Sequence, residues 1–189
     1  MKKKLFVILV LTMAVVLSAC GKGSDTGTSD TTFNDQDVEF AQGMIPHHRQ
    51  AVEMAELAET RASSAEVKEL AAAIQGAQDP EIQTMQGWLT DWDKPLPDDG
   101  LSGMDNGSTG DDSMPGMMST DDMESMSKAS GTEFDKMFLS MMITHHEGAI
   151  EMAESEIADG TNAEAIALAK QIKDAQTGEI ATMTNLLNQ

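Results

Sequence analysis

The chain has 189 residues, with 32 acidic against 12 basic side chains and a formal charge of −20. So negative a chain repels phosphate backbones, which excludes nucleic acid as a natural partner, and its field gathers cations instead. Its single cysteine excludes an intramolecular disulfide, and its four histidines are the only imidazoles it can bring to any site.

The first segment reads as a leader. "MKKK" is a basic start, "LFVILVLTMAVVL" is an apolar run, and Leu17-Ser18-Ala19 supplies small residues before Cys20. The run is shorter than the roughly 20 residues a membrane crossing needs, so residues 1–19 are predicted to be a signal peptide. The last four residues of this segment resemble the lipobox of bacterial lipoproteins. That resemblance implies lipidation at Cys20 and an anchor on the extracytoplasmic face of the cell membrane. With Lys2, Lys3 and Lys4 removed, the formal charge falls to −23. Residues 20–32, rich in Gly, Ser, Thr and Asp, then read as a lipidated flexible tether.

Residues 33–92 are predicted to form a helical hairpin. Ala, Glu, Leu, Met and Gln dominate. Asn34 or Asp35 can cap a first helix running to about Glu59, "RASSAE" is the turn, and Ser63 or Ser64 can cap a second helix ending near Trp88. Pro46 should bend the first helix, and Trp88 and Trp92 read as a plug at the end of the second. Residues 93–131 are rich in Gly, Pro, Ser and Asp and are expected to be a disordered connector, although it carries Met104, Met114, Met117, Met118, Met123 and Met126. Met-rich flexible segments of this kind resemble the soft-metal collecting arms of periplasmic copper proteins. Residues 132–189 are predicted to form a second hairpin, with helices at about 132–158 and 162–187.

The two hairpins are copies at an offset of 98 residues without a gap. Asp37 matches Asp135, Phe40 matches Phe138, and "MIPHHRQAVEMAE" (44–56) matches "MITHHEGAIEMAE" (142–154). The register continues through Leu70, Ile74, Gln78, Glu81 and Met85 against Leu168, Ile172, Gln176, Glu179 and Met183. Other positions have drifted, such as Gly43 against Met141 and Arg49 against Glu147. In the first helix 37, 40, 44, 47/48, 51, 54/55 and 58 share one stripe; in the second 67, 70, 74, 77/78, 81, 85 and 88 do so. Two such hairpins bury their stripes against each other, which predicts an all-α, four-helix bundle with pseudo-twofold symmetry. Either bundle topology satisfies these constraints.

All four histidines fall in the two M-x-x-H-H motifs. Each Met lies one turn before its His pair, so the side chains are neighbours on the helix. If the first and third helices face each other, Met44, His47, His48, Met142, His145 and His146 could gather into one metal site. Imidazole suits Cu, Zn, Fe and Ni, and thioether adds a bias to Cu(I) or its soft analogue Ag(I), so copper, as Cu(I) before Cu(II), is the expected metal. The position three before each His is never Glu, unlike the Glu-x-x-His of di-iron bundles. Gln78, Glu81, Gln176 and Glu179 fall on the partner helices, where they could orient the imidazoles.

The pattern Asp-x-x-Phe-x-x-x-Met-x-x-His-His-x-x-Ala-x-x-Met-Ala, followed by Leu-Ala-x-x-Ile-x-x-x-Gln-x-x-Glu-Ile-x-x-Met, resembles the exported bacterial family catalogued as domain of unknown function three-hundred-and-five. The resemblance covers about 33–90 and 132–187. It implies a ferritin-like helical bundle and metal binding at the M-x-x-H-H residues, with Met141, Met54 and Met152 as weaker candidates, some Met-rich members being associated with copper. The resulting expectation is a lipid-anchored copper protein that sequesters the metal or delivers it to a transport partner. No nucleophile motif argues for chemistry of its own. Copper affinity should fall as pH drops through about 6.5, where protons compete for imidazole. A ferritin-like metal oxidase and a metal-free envelope scaffold are the alternatives.

Overall fold

A computed structural model describes residues 32–98 and 114–189. The expected signal peptide, Cys20, nearly all of the tether and Met104 lie outside the described residues. Among those described, all regular structure is helical: α1 (Asp35–Arg61), α2 (Ala65–Asp91), α3 (Thr120–Lys128), α4 (Thr132–Asp159) and α5 (Ala163–Leu187). No helix among them is long and apolar enough to cross a membrane.

The helix starts follow local chemistry. Asn34 caps α1 in a capping box with Asp37, Ser64 caps α2 through the Val67 N–H, and Asn162 caps α5 through Glu164 and Ala165. α1 continues through Pro46. At the end of α2, Trp92 stacks on Phe33 at 4.8 Å and lies 6.0 Å from Trp88, so Phe33 shares in the tryptophan plug.

α1 packs on α2 and α4 on α5, and the two hairpins meet along α1 and α4. This central pair is antiparallel, as two buried aspartates show. Asp37, near the start of α1, accepts from Thr161 N–H (3.1 Å), Thr161 Oγ1 (3.0 Å) and Asn162 N–H (2.9 Å), beyond the end of α4. Asp135, near the start of α4, accepts from Ser63 N–H (3.0 Å), the Ser63 hydroxyl and Ser64 N–H (3.1 Å), beyond the end of α1. Each hairpin thus satisfies the exposed donors of the other hairpin's second helix. The structure thereby decides the topology left open above.

Glu156 breaks the symmetry at one of these caps, since its repeat position holds Ala58. Burial first, and then the neighbouring Asp37, push its carboxyl up to about 8. Burial also pushes Asp37 upward. The Asn34 and Asn162 N–H groups, with Glu156 and Thr161, outweigh it and hold that carboxyl below its ordinary range. The signs are opposite. Stability from Glu156 is full below its ordinary value of 4.5 and is lost as pH rises through about 8. Stability from Asp37 is present above 3.8 and is lost as pH falls through its lowered value. Glu156→Gln, whose amide keeps a donor without titrating, should therefore flatten the alkaline decline. Relative to the parent, urea unfolding should show a gain of about 2–4 kcal/mol between about pH 5 and pH 9.

The buried stripe of α2 is Val67, Ala71, Ile74, Gln78, Ile82, Met85 and Leu89. It is turned slightly from the expected one: Ala77 is exposed, and Leu70, Glu81 and Trp88 lie on its flank. The connector also departs from expectation. Residues 114–131 are folded onto the bundle, with Ser119 capping α3 and with Met118 and Met126 buried in the core. Gly, Pro and Ser composition argued for disorder, but these methionines bury enough apolar surface to hold the segment.

Candidate metal centre

The core is two apolar clusters with a polar layer between them. One contains Met54, Ile74, Phe138, Met142 and Met183; the other contains Met44, Ile45, Ile82, Ala149 and Ile172. Between them each of the four long helices contributes polar residues: His47 and His48 from α1, Gln78 from α2, His145 and His146 from α4, and Gln176 from α5. All four histidines have 0% exposure and the two glutamines 3%. The structure therefore brings the imidazoles together, as their spacing suggested. Met44 and Met142 are fully buried but belong to different clusters, one on each side of the layer, because α1 and α4 are antiparallel.

Around the pseudo-twofold axis, the His47 and His145 rings touch at 3.8 Å between centroids, tilted by 41°. His145 and His146 lie 6.4 Å apart. His48 Nε2 meets Glu81 Oε2 at 2.7 Å, and His146 Nε2 meets Glu179 Oε2 at 2.6 Å. Both glutamates are about one-fifth exposed, so each reaches from the flank of its stripe to a buried ring. His47 Nε2 meets the Pro115 carbonyl at 3.0 Å.

These contacts assign tautomers. A carboxylate and a carbonyl only accept, so Nε2 of His47, His48 and His146 carries the proton. In the neutral ring the lone pair then sits on Nδ1. Nδ1 of His47, His48 and His146, and both ring nitrogens of His145, have no hydrogen-bond partner among the described residues. Desolvation first, then the charge of His48, hold His47 down at about 3 despite the Pro115 carbonyl. Desolvation and His47 hold His145 well below the ordinary imidazole value. Both rings are neutral at pH 7, so proton competition at this pair lies well below the 6.5 expected from an ordinary histidine.

Buried donors of this kind suit a soft ion with few ligands: imidazole lone pairs without partners, and thioethers on either side. Among the described residues no three His, Cys, Asp or Glu groups are placed to hold a metal. The 3.8 Å ring contact leaves no space for an ion between His47 and His145, so shared ligation has to part them. Gln78 Oε1 and Gln176 Oε1 are buried without partners. Met54 is buried, and Met141 and Met152 are half-buried.

Sequence reasoning missed the connector's part in this site. Met114-Pro115-Gly116-Met117 forms a turn closed by Met117 N–H to the Met114 carbonyl at 3.2 Å, with Gly116 at φ +74°. It crosses α4 at Gly148, where an added Cβ would stand 2.0 Å from the Pro115 carbonyl oxygen. Gln50, the repeat position of Gly148, clamps the Met118 backbone from α1: its amide donates to the carbonyl at 2.9 Å and its oxygen accepts from the N–H at 2.7 Å. The mismatch of Gln50 and Gly148 was the available trace of this contact.

Fold and site together define an all-α bundle of duplicated hairpins built around a buried histidine layer. The chain belongs to the DUF305 family, a domain of unknown function, whose profile matches residues 37–187. It is similar to a DUF305 protein from Streptomyces coelicolor described as secreted, at 31% identity and a TM-score of 0.71 over 81% of this chain and 92% of that one. It is similar to a DUF305 fragment from Deinococcus radiodurans, at 30% identity and a TM-score of 0.70 over 82% and 97%. CopM in its Cu(II)-bound form is similar at 31% identity and a TM-score of 0.68 over 80% and 95%. CopM has also been solved in Cu(I)-bound and Ag-bound forms. Among curated proteins, none matches.

Proposed function

We propose that the protein is a lipid-anchored, extracytoplasmic binder of copper that sequesters or hands on the ion without chemistry of its own. The observation that carries this reading is the histidine layer. A core selected for stability alone would put Leu or Ile at these four positions, since each buried polar atom without a partner costs about 1–3 kcal/mol. Instead the fold brings every imidazole of the chain to one level and leaves Nδ1 of each without a partner. Unpartnered lone pairs are what a metal ion takes up, and thioethers on both sides of the layer bias it toward Cu(I). The similarity to CopM, which was solved with copper and with silver, supports the same class of ligand. Cys20 and the leader before it support the anchor.

The test is thermal unfolding with and without Cu(I) under reducing conditions, in the parent and in a variant with His47, His48, His145 and His146 all replaced by Gln. The parent should gain stability with excess metal, by about 2.7 kcal/mol at a hundredfold excess over Kd, and the variant should gain much less. Equal gains in both would place the metal elsewhere. No gain in the parent would favour the scaffold alternative.

A further inference from the structure

Gly43 is a gap in α1 that two thioethers approach. A Cβ built there would stand 2.9 Å from the Met152 methyl carbon and 3.9 Å from the Met114 sulfur. Glycine inside a helix costs about 0.5–1 kcal/mol relative to Ala, and here it admits side chains from α4 and from the connector turn. The repeat explains the vacancy. The position equivalent to Gly43 in the second half is Met141, and the position equivalent to Met152 is Met54. By the pseudo-twofold relation, the second half places the Met141 and Met54 thioethers where the first half has Gly43 and Met152. Met114 supplies the sulfur that position 43 lacks.

The turn is well anchored for such a role. Gln50 clamps Met118, Gly148 admits Pro115 and Gly116, and the Pro115 carbonyl accepts from His47, one helical turn after Gly43. Met114 and Met152 are both half-buried. The pair therefore sits at the rim of the bundle, within one turn of the imidazole layer.

We propose that Met114 and Met152 form a second, thioether site for a soft monovalent ion, Cu(I) or Ag(I), beside the histidine layer. It rests on the reading of the protein as a soft-metal binder and adds to it the site an ion meets before the imidazoles. Thioether is neutral and soft, so the site favours Cu(I) and Ag(I) over Zn(II) or Mg(II).

The experiment is a titration of the full mature chain with Ag(I), which needs no reductant, following the methyl resonances of 13C-methyl-labelled methionine. The Met114 and Met152 methyls should shift together. Met114→Leu and Met152→Leu, which keep the volume, should each weaken one Ag(I) equivalent by about tenfold or more while the histidine resonances still respond. Gln50→Ala, which frees the connector, should weaken the same equivalent. Gly43→Met in the Met114→Leu background should restore it, the flexible end of Met152 moving aside. If the parent binds Ag(I) while both methyls stay unmoved, or if both Leu variants titrate as the parent does, the thioether site is wrong and the histidine reading stands. A parent that takes up no Ag(I) overturns both.

Discussion

Replacing Asp135 with Ala is expected to destabilise the protein by about 3–5 kcal/mol, one of the largest losses available to a single side chain that is not apolar. The carboxylate is nearly buried, at 7% exposure, and accepts from three donors at the α1–α2 turn: Ser63 N–H, the Ser63 hydroxyl and Ser64 N–H. Hydrogen bonds to a charged group are each worth about 1.5–3 kcal/mol, and stranding the donors adds their desolvation. Ala keeps none of them. Asn keeps one acceptor and should recover about half the loss. Asp37→Ala should cost a similar amount, since Asp37 holds the α4–α5 turn in the same way. The two caps lie at opposite ends of α1, about 40 Å long, so their effects should add. Against a total stability on the order of 5–15 kcal/mol, the double variant should be unfolded or nearly so at room temperature. Urea unfolding followed by circular dichroism measures this. A midpoint unchanged in Asp135→Ala would mean that the hairpins are held together by the α1–α4 apolar contact alone.

These aspartates show what was legible in the sequence. Asp37 and Asp135 were visible as a repeated pair on the buried stripe, but nothing in either helix explained an acid there. Periodicity reports which face of an element is buried, not which neighbour it meets. The reason lies across the fold, in the Ser63-Ser64 and Thr161-Asn162 turns, which are themselves repeat mates at the same offset. The helices and the gathering of the imidazoles followed from patterns that both copies share; the caps differ, since Asn34 caps α1 whereas α4 starts at Gly131 without a side-chain cap. The contacts that sequence reasoning missed lie where the copies differ. Gly43 and Met141 read as drift, and the mismatches of Gln50 with Gly148 and of Ala58 with Glu156 carried no reading from the sequence. Each marks a place where one half of the bundle meets something the other does not: the connector in the first two cases, a protonated neighbour of Asp37 in the third. The connector was illegible for a further reason. Its composition is that of a solvated chain, and what places it on the bundle is a few methionines, among them Met118 and Met126, buried in a cluster shared with the other helices.

Replacing Glu81 and Glu179 together with Ala is expected to lower Cu(I) affinity by about 10–100-fold, the usual loss when a metal-binding histidine is deprived of its hydrogen-bond acceptor. Each glutamate accepts from Nε2–H of a buried ring, at 2.7 Å for His48 and 2.6 Å for His146, and so holds the lone pair on Nδ1. Without it the neutral ring can carry its proton on either nitrogen, and part of the population turns the wrong atom to the ion. Gln at both positions keeps an acceptor oxygen and should lose less. Removing two charges also weakens the field that gathers cations, so Glu59→Ala with Glu69→Ala, both exposed, is the control and should change affinity by less than threefold at about 0.15 M salt, where surface charges are screened. Competition against a Cu(I) chelator gives the affinities, and the 15N shifts of the imidazoles without metal give the tautomers directly. The sign of the effect is itself informative. If the ion were held through Nε2, the glutamates would compete with it, and their removal would raise affinity; a rise would overturn the Nδ1 assignment while leaving the histidine layer as the site.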